Sequence, residues 1–585
     1  MKKVILAALS AKFIHSSLAL RYLTKFNEND KKHNIKTMEF TINQRLDFIA
    51  DELFRQTPDV ILFSCYIWNV DLLKSLCPLL KKIMPQCTIG FGGPEVSYES
   101  ETFLRENPAV DLVMRGEGEL VFSELMNYLD FGTPASLHDI KGLTFRDGDE
   151  IVSTAQQEPL DLALLPFPYA DDFSDVENQI IYYESSRGCP YSCGYCLSSI
   201  EKGVRFVPLE QVYPALQKFL DHRVRQVKFI DRTFNCKKSH AMGIWKYLAE
   251  HDNGVTNFHF EITADLLDEE TLAFLGTVRN GLFQFEIGVQ STNPQTIEAI
   301  NRNVSFEKLS GIVKRIKAGG NIHQHLDLIA GLPYEDYASF GRSFNDVYAL
   351  QPEQLQLGFL KVLKGSMIYN RQHEFGIVYQ DMAPYEVLTT HMLPYADTLK
   401  LKAIEEMVET YYNSGKFLHT LEYLVPLYDS PFAFFEQLSQ YWIAERCHYQ
   451  YQSKIGLCNV LWAFVQQNPK VDLTRFCWLL KFDMELHEKP KKLPEWLTVS
   501  NEAQYRHQIL AFYRDDAMTA QYLPHYKGVD SKVTARQTHL EVFGDAEHIA
   551  VLFDYDHKDL LQNARYTVIS LEKLAQAEAN LAMEK

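Results

Sequence analysis

The amino-acid sequence predicts an α/β protein in three parts: a doubly wound parallel sheet, a partial (β/α)6 barrel, and a mostly helical C-terminal region. Three observations carry that prediction. Apolar runs bounded by turn residues alternate with segments of helical period over residues 1–130. The same alternation resumes after residue 178 and supplies six more strands. Beyond residue 375 the apolar residues fall at helical spacing, as in Leu401, Ile404, Met407, Val408 and Tyr411, and only Gln537–Tyr555 reads as strand.

A chain of 585 residues is too long for one core, and its composition is that of a globular protein, 46% hydrophobic and 23% charged. The 58 Lys and Arg against 76 Asp and Glu leave a formal charge of −18, which argues against a dedicated nucleic-acid binder. Met1-Lys2-Lys3 and the apolar run after it imitate a secretion signal. The run is short and Lys12 follows at once, so a cytoplasmic protein is expected. No stretch reaches the ~18 uninterrupted apolar residues of a membrane span.

In residues 1–130 strands are expected at Val4–Leu9, Ile35–Ile42, Val60–Cys65, Cys87–Phe91 and Val110–Met114. A doubly wound sheet binds ligands at the carboxyl ends of its strands. The residues there are Ser64, Tyr66 and Trp68, then Gly92-Gly93-Pro94-Glu95, then Gly116-Glu117-Gly118-Glu119, with His15 beyond the first strand. Residues 131–178 read as a linker with a small hairpin about Asp147-Gly148.

The stretch that organises the chain lies in the third segment, residues 179–375. Behind the strand Ile180–Glu184, the loop Arg187-Gly188-Cys189-Pro190-Tyr191-Ser192-Cys193-Gly194-Tyr195-Cys196 holds three of the ten cysteines. Thiolates at spacings of four and three can converge on one soft metal centre. A closed zinc site wants a fourth ligand, whereas a four-iron cluster on three thiolates keeps one iron open; a zinc knuckle is the competing assignment. Further strands are expected at Gln226–Ile230, Phe258–Ile262, Phe283–Val289, His325–Ile329 and Gln354–Leu360. The polar residues at their ends include Asp231, Arg232, Glu261, Gln290, Ser291 and Arg302, together with Gly331 and Leu332. Glu261 and Arg302 are as compatible with a buried ion pair as with a ligand contact.

The Cys-x3-Cys-x2-Cys loop, with Tyr195 just before its last cysteine, resembles the signature of the radical S-adenosylmethionine (SAM) superfamily. The Gly-Gly loop and the Gly-Glu-Gly-Glu turn resemble the Rossmann-like cobalamin-binding domain that precedes many such cores, in proteins of the class B methyltransferase type. The resemblance implies a 4Fe-4S cluster on Cys189, Cys193 and Cys196, with SAM chelating the fourth iron. It places Asp231-Arg232 near the methionyl amino group, Glu261 and Gln290-Ser291 near the sulfonium and ribose, and Gly331-Leu332 at the adenine. Arg302 belongs to the same set of SAM contacts. Cobalamin is implied as a second cofactor over the first sheet. The family's Asp-x-His-x-x-Gly motif, which supplies an axial imidazole, is absent, so either cobalt is bound without a protein imidazole, or His15 substitutes from a different offset, or the domain has lost the cofactor.

The activity so implied is methylation of an unactivated carbon of a small or lipid-like molecule. A 5'-deoxyadenosyl radical abstracts hydrogen, and an external donor of the flavodoxin or ferredoxin type supplies electrons. Alternatives within the resemblance are a cobalamin-dependent cyclase or rearrangement enzyme and a tRNA methylthiotransferase. The latter expects extra N-terminal cysteines and a basic appendage, neither of which is evident. A carrier with a vestigial cluster is a further alternative, against which all three cysteines count. Residues 376–585, read as a lid or substrate-determining domain, carry no recognisable motif.

Overall fold

A computed structural model describes residues 2–28, 34–176, 178–200, 203–558 and 563–583. The chain divides into two compact units, Met1–Phe340 with Leu357–Thr398, and Gly341–Gln356 with Leu399–Lys585.

The first unit opens on a seven-stranded sheet of order β2-β1-β3-β4-β5-β6-β7. Its parallel strands are β1 (Lys3–Ser10), β2 (Asn34–Thr41), β3 (Val60–Ser64), β4 (Thr88–Gly92) and β5 (Leu112–Met114). Val4 to Ala8 and all of β3 are buried, as unbroken apolar strands must be when helices cover both faces. The expected hairpin forms, as β6 (Leu143–Asp147) and β7 (Glu150–Ser153), but it is not a free-standing linker element. It adds to β5 antiparallel and extends the first sheet, because Leu143 and Phe145 alternate inward onto the core under Val121 and Leu125.

The barrel strands are β8 (Ile181–Tyr183), β11 (Gln226–Phe229), β12 (Asn257–Ile262), β13 (Phe283–Gln290), β14 (His323–Ala330) and β15 (Gln354–Phe359). They form a six-stranded sheet in the order β15-β14-β13-β12-β11-β8. Between β8 and β11 stands a two-stranded hairpin, β9 (Ser186–Cys189) with β10 (Gly203–Phe206). One face of β12 and β13 is aromatic: Phe260 and Phe285 lie 6.0 and 5.6 Å from Trp245 of the covering helix Lys238–Glu250. Alternation therefore turns Glu261, Glu286 and His325, which stand side by side in register, toward the barrel interior. The helix Phe306–Gly319 ends at Gly320, whose φ of 64° is a left-handed glycine cap. A small pair, β16 (Val378–Tyr379) with β17 (Val387–Thr389), completes the unit.

The second unit is helical, as the spacing of its apolar residues predicts, with one three-stranded antiparallel sheet. Its strands are β18 (Thr538–Phe543), β19 (Ile549–Lys558) and β20 (Ala564–Ile569). The first two occupy the stretch read as strand-like, while β20 carries Arg565, Tyr566 and Thr567 outward and gives no apolar signal. No helix among the described residues is long and apolar enough to cross a membrane.

Candidate active site

All ten cysteines are free thiols. Cys189 ends β9, paired with Gly203, and Cys193 and Cys196 follow in the loop. A side chain at Gly188, φ +96°, would place its Cβ 2.1 Å from the Gly203 carbonyl, so the hairpin closes only on glycine. The loop is pinned by backbone bonds on both sides of Gly194, from its N–H to Ile300 O at 2.8 Å and from Ile368 N–H to its carbonyl at 2.9 Å.

Among the described residues only Glu485, His539 and Glu541 converge within 4.8 Å as ligands of a single ion would; the three cysteines of the loop do not. Three thiols on one pinned loop, more widely spaced than ligands of one zinc, fit a polynuclear cluster. A tight zinc knuckle does not fit them.

Around the thiols stand polar groups from several barrel strands. Arg302 Nη1 lies 3.8 Å from Cys193 Sγ and donates to Tyr195 Oη at 3.1 Å, while Nη2 donates to Gly288 O at 2.5 Å. Burial pushes the Cys193 thiol up, and the Arg302 charge opposes it. Thr233 Oγ1 is 3.5 Å from Cys189 Sγ. Asp231 is turned to the base of the loop, where its carboxylate accepts from Ser185 Oγ at 2.7 Å, Ser186 Oγ at 2.5 Å and Ser185 N–H at 3.0 Å. Arg232 beside it is exposed.

Glu261 projects from β12, its carboxyl pushed up to about 7 by burial against the opposing pull of Arg232. Gln290 sits at φ +72°, where the β13–β14 register shifts, and its buried Oε1 has no hydrogen-bond partner. Ser291 donates to Glu335 Oε1 at 2.7 Å. Gly331 has φ +84°, and Leu332 is buried behind it.

Sequence reasoning missed Asp327. It faces Gly288 across the β13–β14 register, with Oδ1 buried and unpartnered and its carboxyl pushed well up by burial beside Glu286 and Glu261. Its place two residues after His325, on the same strand face, is the signal that could have found it.

At the carboxyl ends of the first sheet, Tyr66 and Trp68 stack at 4.3 Å and 7°. Trp68 Nε1 donates to Leu9 O at 3.1 Å, which fixes the indole, and Phe13 and Trp68 are 71% and 46% exposed. Buried Asn69 ties the ends of β1 and β3 together through Leu9 O and Ser64 O, each at 3.0 Å. Gly93, φ +116°, passes so close to Cys65 that a Cβ would meet its carbonyl at 2.4 Å, and Gly116, φ +73°, opens onto space with nothing within 4 Å of a Cβ. An exposed aromatic floor flanked by such glycine backbone fits a large flat ligand.

The carboxylates of these loops point elsewhere. Glu95 accepts from Tyr385 Oη at 2.5 Å, beside Pro94 at the start of its short helix. Glu117 accepts from Leu160 N–H at 2.9 Å and pairs with Arg205, and Glu119 accepts from Arg187 at 2.6 Å. His15 Nδ1 is 2.6 Å from Tyr182 Oη.

Residues 4–126 match the B12 binding domain family and residues 183–347 the Radical SAM superfamily, while residues 373–562 match a family described as a protein of unknown function, DUF4080. The 2-(S-pantetheinyl)-carbapenam-3-carboxylate methyltransferase of Streptantibioticus cattleyicolor is 29% identical over 309 residues, 48% of this chain and 44% of that one. The cobalamin-dependent radical SAM methyltransferase TokK of Streptomyces tokunonensis is 28% identical over 316 residues, again 48% and 44%. The chain thus spans less than half the length of these curated relatives. The solved structure of the cobalamin-dependent SAM radical enzyme OxsB, with aqua-cobalamin and SAM bound, matches with a TM-score of 0.59 at 15% identity, over 83% of this chain and 79% of that one. The cofactors of the two matched domains are a 4Fe-4S cluster with SAM, and cobalamin. Within this chain, a segment matching the B12 binding domain family precedes one matching the Radical SAM superfamily.

Proposed function

We propose that this protein is a cobalamin-dependent radical SAM methyltransferase acting on an unactivated carbon of a small or lipid-like molecule, in the cytoplasm, with a flavodoxin- or ferredoxin-type electron donor. The observation that carries the reading is the pinned loop of Cys189, Cys193 and Cys196 in the same unit as the stacked Tyr66–Trp68 pair. When bound, the cluster and SAM supply a carbon radical that removes hydrogen from the substrate, and the corrinoid supplies the methyl group.

The chain's own residues hold and orient. Cys189, Cys193 and Cys196 would hold three irons. Arg302 braces Tyr195 and Cys193 and keeps a positive charge beside the thiolates. Asp231 fixes the strand end that feeds the loop, through Ser185 and Ser186. Gln290, Asp327 and Glu261 present hydrogen-bonding groups toward the barrel interior, where SAM and the polar part of a substrate would lie. Tyr66, Trp68 and the backbone at Gly93 and Gly116 would receive the corrinoid.

Product counting tests this reading. Reduced, cofactor-loaded protein is incubated with SAM and a cellular metabolite extract. Methylation predicts S-adenosylhomocysteine and 5'-deoxyadenosine in equal amounts, with one new methylated compound. Extract-dependent 5'-deoxyadenosine without S-adenosylhomocysteine would replace the methyltransferase by a cyclase or rearrangement enzyme.

A further inference from the structure

We propose that Arg187 is a positioning residue, whose guanidinium ties the cluster loop to the Gly116–Glu119 turn and thereby fixes the separation of cluster and corrinoid. The proposal rests on the cofactor reading above.

Arg187 lies on β9, two residues before Cys189 and opposite Arg205 of β10. Its guanidinium reaches three carboxylates: Nη2 to Glu119 Oε1 at 2.6 Å, Nε to Glu184 Oε1 at 2.9 Å, and Nη1 to Glu117 Oε2 at 3.5 Å. It also lies 5.8 Å over the Tyr22 ring. Arg205 pairs with Glu117 and donates to Leu160 O. The side chains of Arg187, Glu184 and Glu119 are 15%, 9% and 6% exposed. Ion pairs this deep repay their desolvation only with good geometry, and their best-attested use is to specify one arrangement rather than to stabilise it. A planar fork that engages several carboxylates at once is a property of arginine, not of lysine.

The turn that Arg187 grips has two faces. Its side chains, Glu117 and Glu119, are engaged by the hairpin that ends in Cys189. Its backbone at Gly116 is unobstructed, with nothing within 4 Å of a Cβ, and would face the corrinoid. A displacement of the hairpin therefore moves the corrinoid surface with it. Other bonds also join the first sheet to the later part of the unit, among them Tyr385 Oη to Glu95 at 2.5 Å, Tyr369 Oη to Glu99 at 2.9 Å and His15 Nδ1 to Tyr182 Oη at 2.6 Å. Loss of the Arg187 fork should thus loosen the spacing without parting the domains.

The test is pulsed electron paramagnetic resonance on the full chain loaded with both cofactors, reading the dipolar coupling between Co(II) and the reduced cluster. Arg187→Lys and Glu119→Gln are compared with the parent; Glu119→Gln keeps the shape and serves if the lysine variant does not fold. Both are expected to retain parental iron and cobalamin contents. The distance distribution should widen about twofold, since a lysine reaches one carboxylate where the fork reaches three. The double variant should be no wider than Arg187→Lys alone, because both changes remove one interaction. A parental distribution in both single variants, whatever their melting temperatures, overturns the proposal. A parent chain that takes up only one of the two cofactors overturns the cofactor reading itself.

Discussion

His15 Nδ1 stands 2.6 Å from the hydroxyl of Tyr182, so the imidazole that follows β1 is bonded to the first strand of the barrel. The backbone reinforces the attachment: His15 bridges Ile180, and Ile180 N–H donates to Ile14 O at 2.7 Å. Burial, with Lys228 and Lys12 nearby, lowers the ring's pKa and keeps it neutral at pH 7.

The Tyr182 bond engages only Nδ1 of His15; it is the absence of an Asp-x-His-x-x-Gly motif that leads us to expect a corrinoid without an imidazole from this chain on cobalt. The Co(II) spectrum of protein labelled with nitrogen-15 should show no label-dependent superhyperfine splitting, and His15→Ala should leave it unchanged. A splitting that responds to the label and disappears in His15→Ala would make His15 the axial ligand. Axial ligation is one of the protein's levers on a metal's potential, so an open face changes the redox behaviour of cobalt.

Arg302 predicts a second outcome. A half-buried cation 3.8 Å from Cys193 Sγ favours the extra electron on a reduced cluster. Arg302→Met should lower the cluster's midpoint potential by something on the order of tens of millivolts, at unchanged iron content, and Arg302→Lys should restore part of the shift. An unaltered or raised potential in Arg302→Met would remove the electrostatic role.

In the second unit, His539 stands 3.5 Å from Glu485 and 3.4 Å from Glu541, with Lys481 Nζ 2.8 Å from Glu541. Lys481 and His539 are the two basic groups that face these carboxylates in the structure. Burial alone would lower the imidazole pKa, but the hydrogen bonds to Glu485 and Glu541 win and push it up to about 9. A folded pKa above the unfolded 6.5 gives stability that is fully present below pH 6.5 and is lost as pH rises through about 9. Denaturant unfolding of the full chain at pH 6 and pH 10, followed by tryptophan fluorescence, should show a loss that His539→Gln largely removes. Equal pH dependence in the two proteins would refute the assignment.

Much of this was legible in the sequence, because unbroken apolar strands and a three-cysteine loop are local signals. Strand β3 and the left-handed cap at Gly320 follow directly from their residues. What the sequence hid was long-range pairing. Glu117 and Glu119 read as ligand contacts in a glycine-rich turn, yet their partners Arg205 and Arg187 lie 88 and 68 residues away. Asp231 likewise reads as a SAM contact, and only the fold reveals Ser185 and Ser186 as its donors. The hairpin β6–β7 carries no local mark of the sheet it joins, since edge pairing is decided by the partner strand.

The central claim, a three-thiolate cluster that cleaves SAM, is tested most directly by 5'-deoxyadenosine formation in anaerobically reconstituted, chemically reduced protein. The parent should bind about four irons per chain and release 5'-deoxyadenosine from SAM. Cys189→Ala, Cys193→Ala and Cys196→Ala should each lose both the cluster's absorbance and the product, while Cys236→Ala and Cys447→Ala keep both. SAM cleavage that survives in any of the three loop variants would contradict the account.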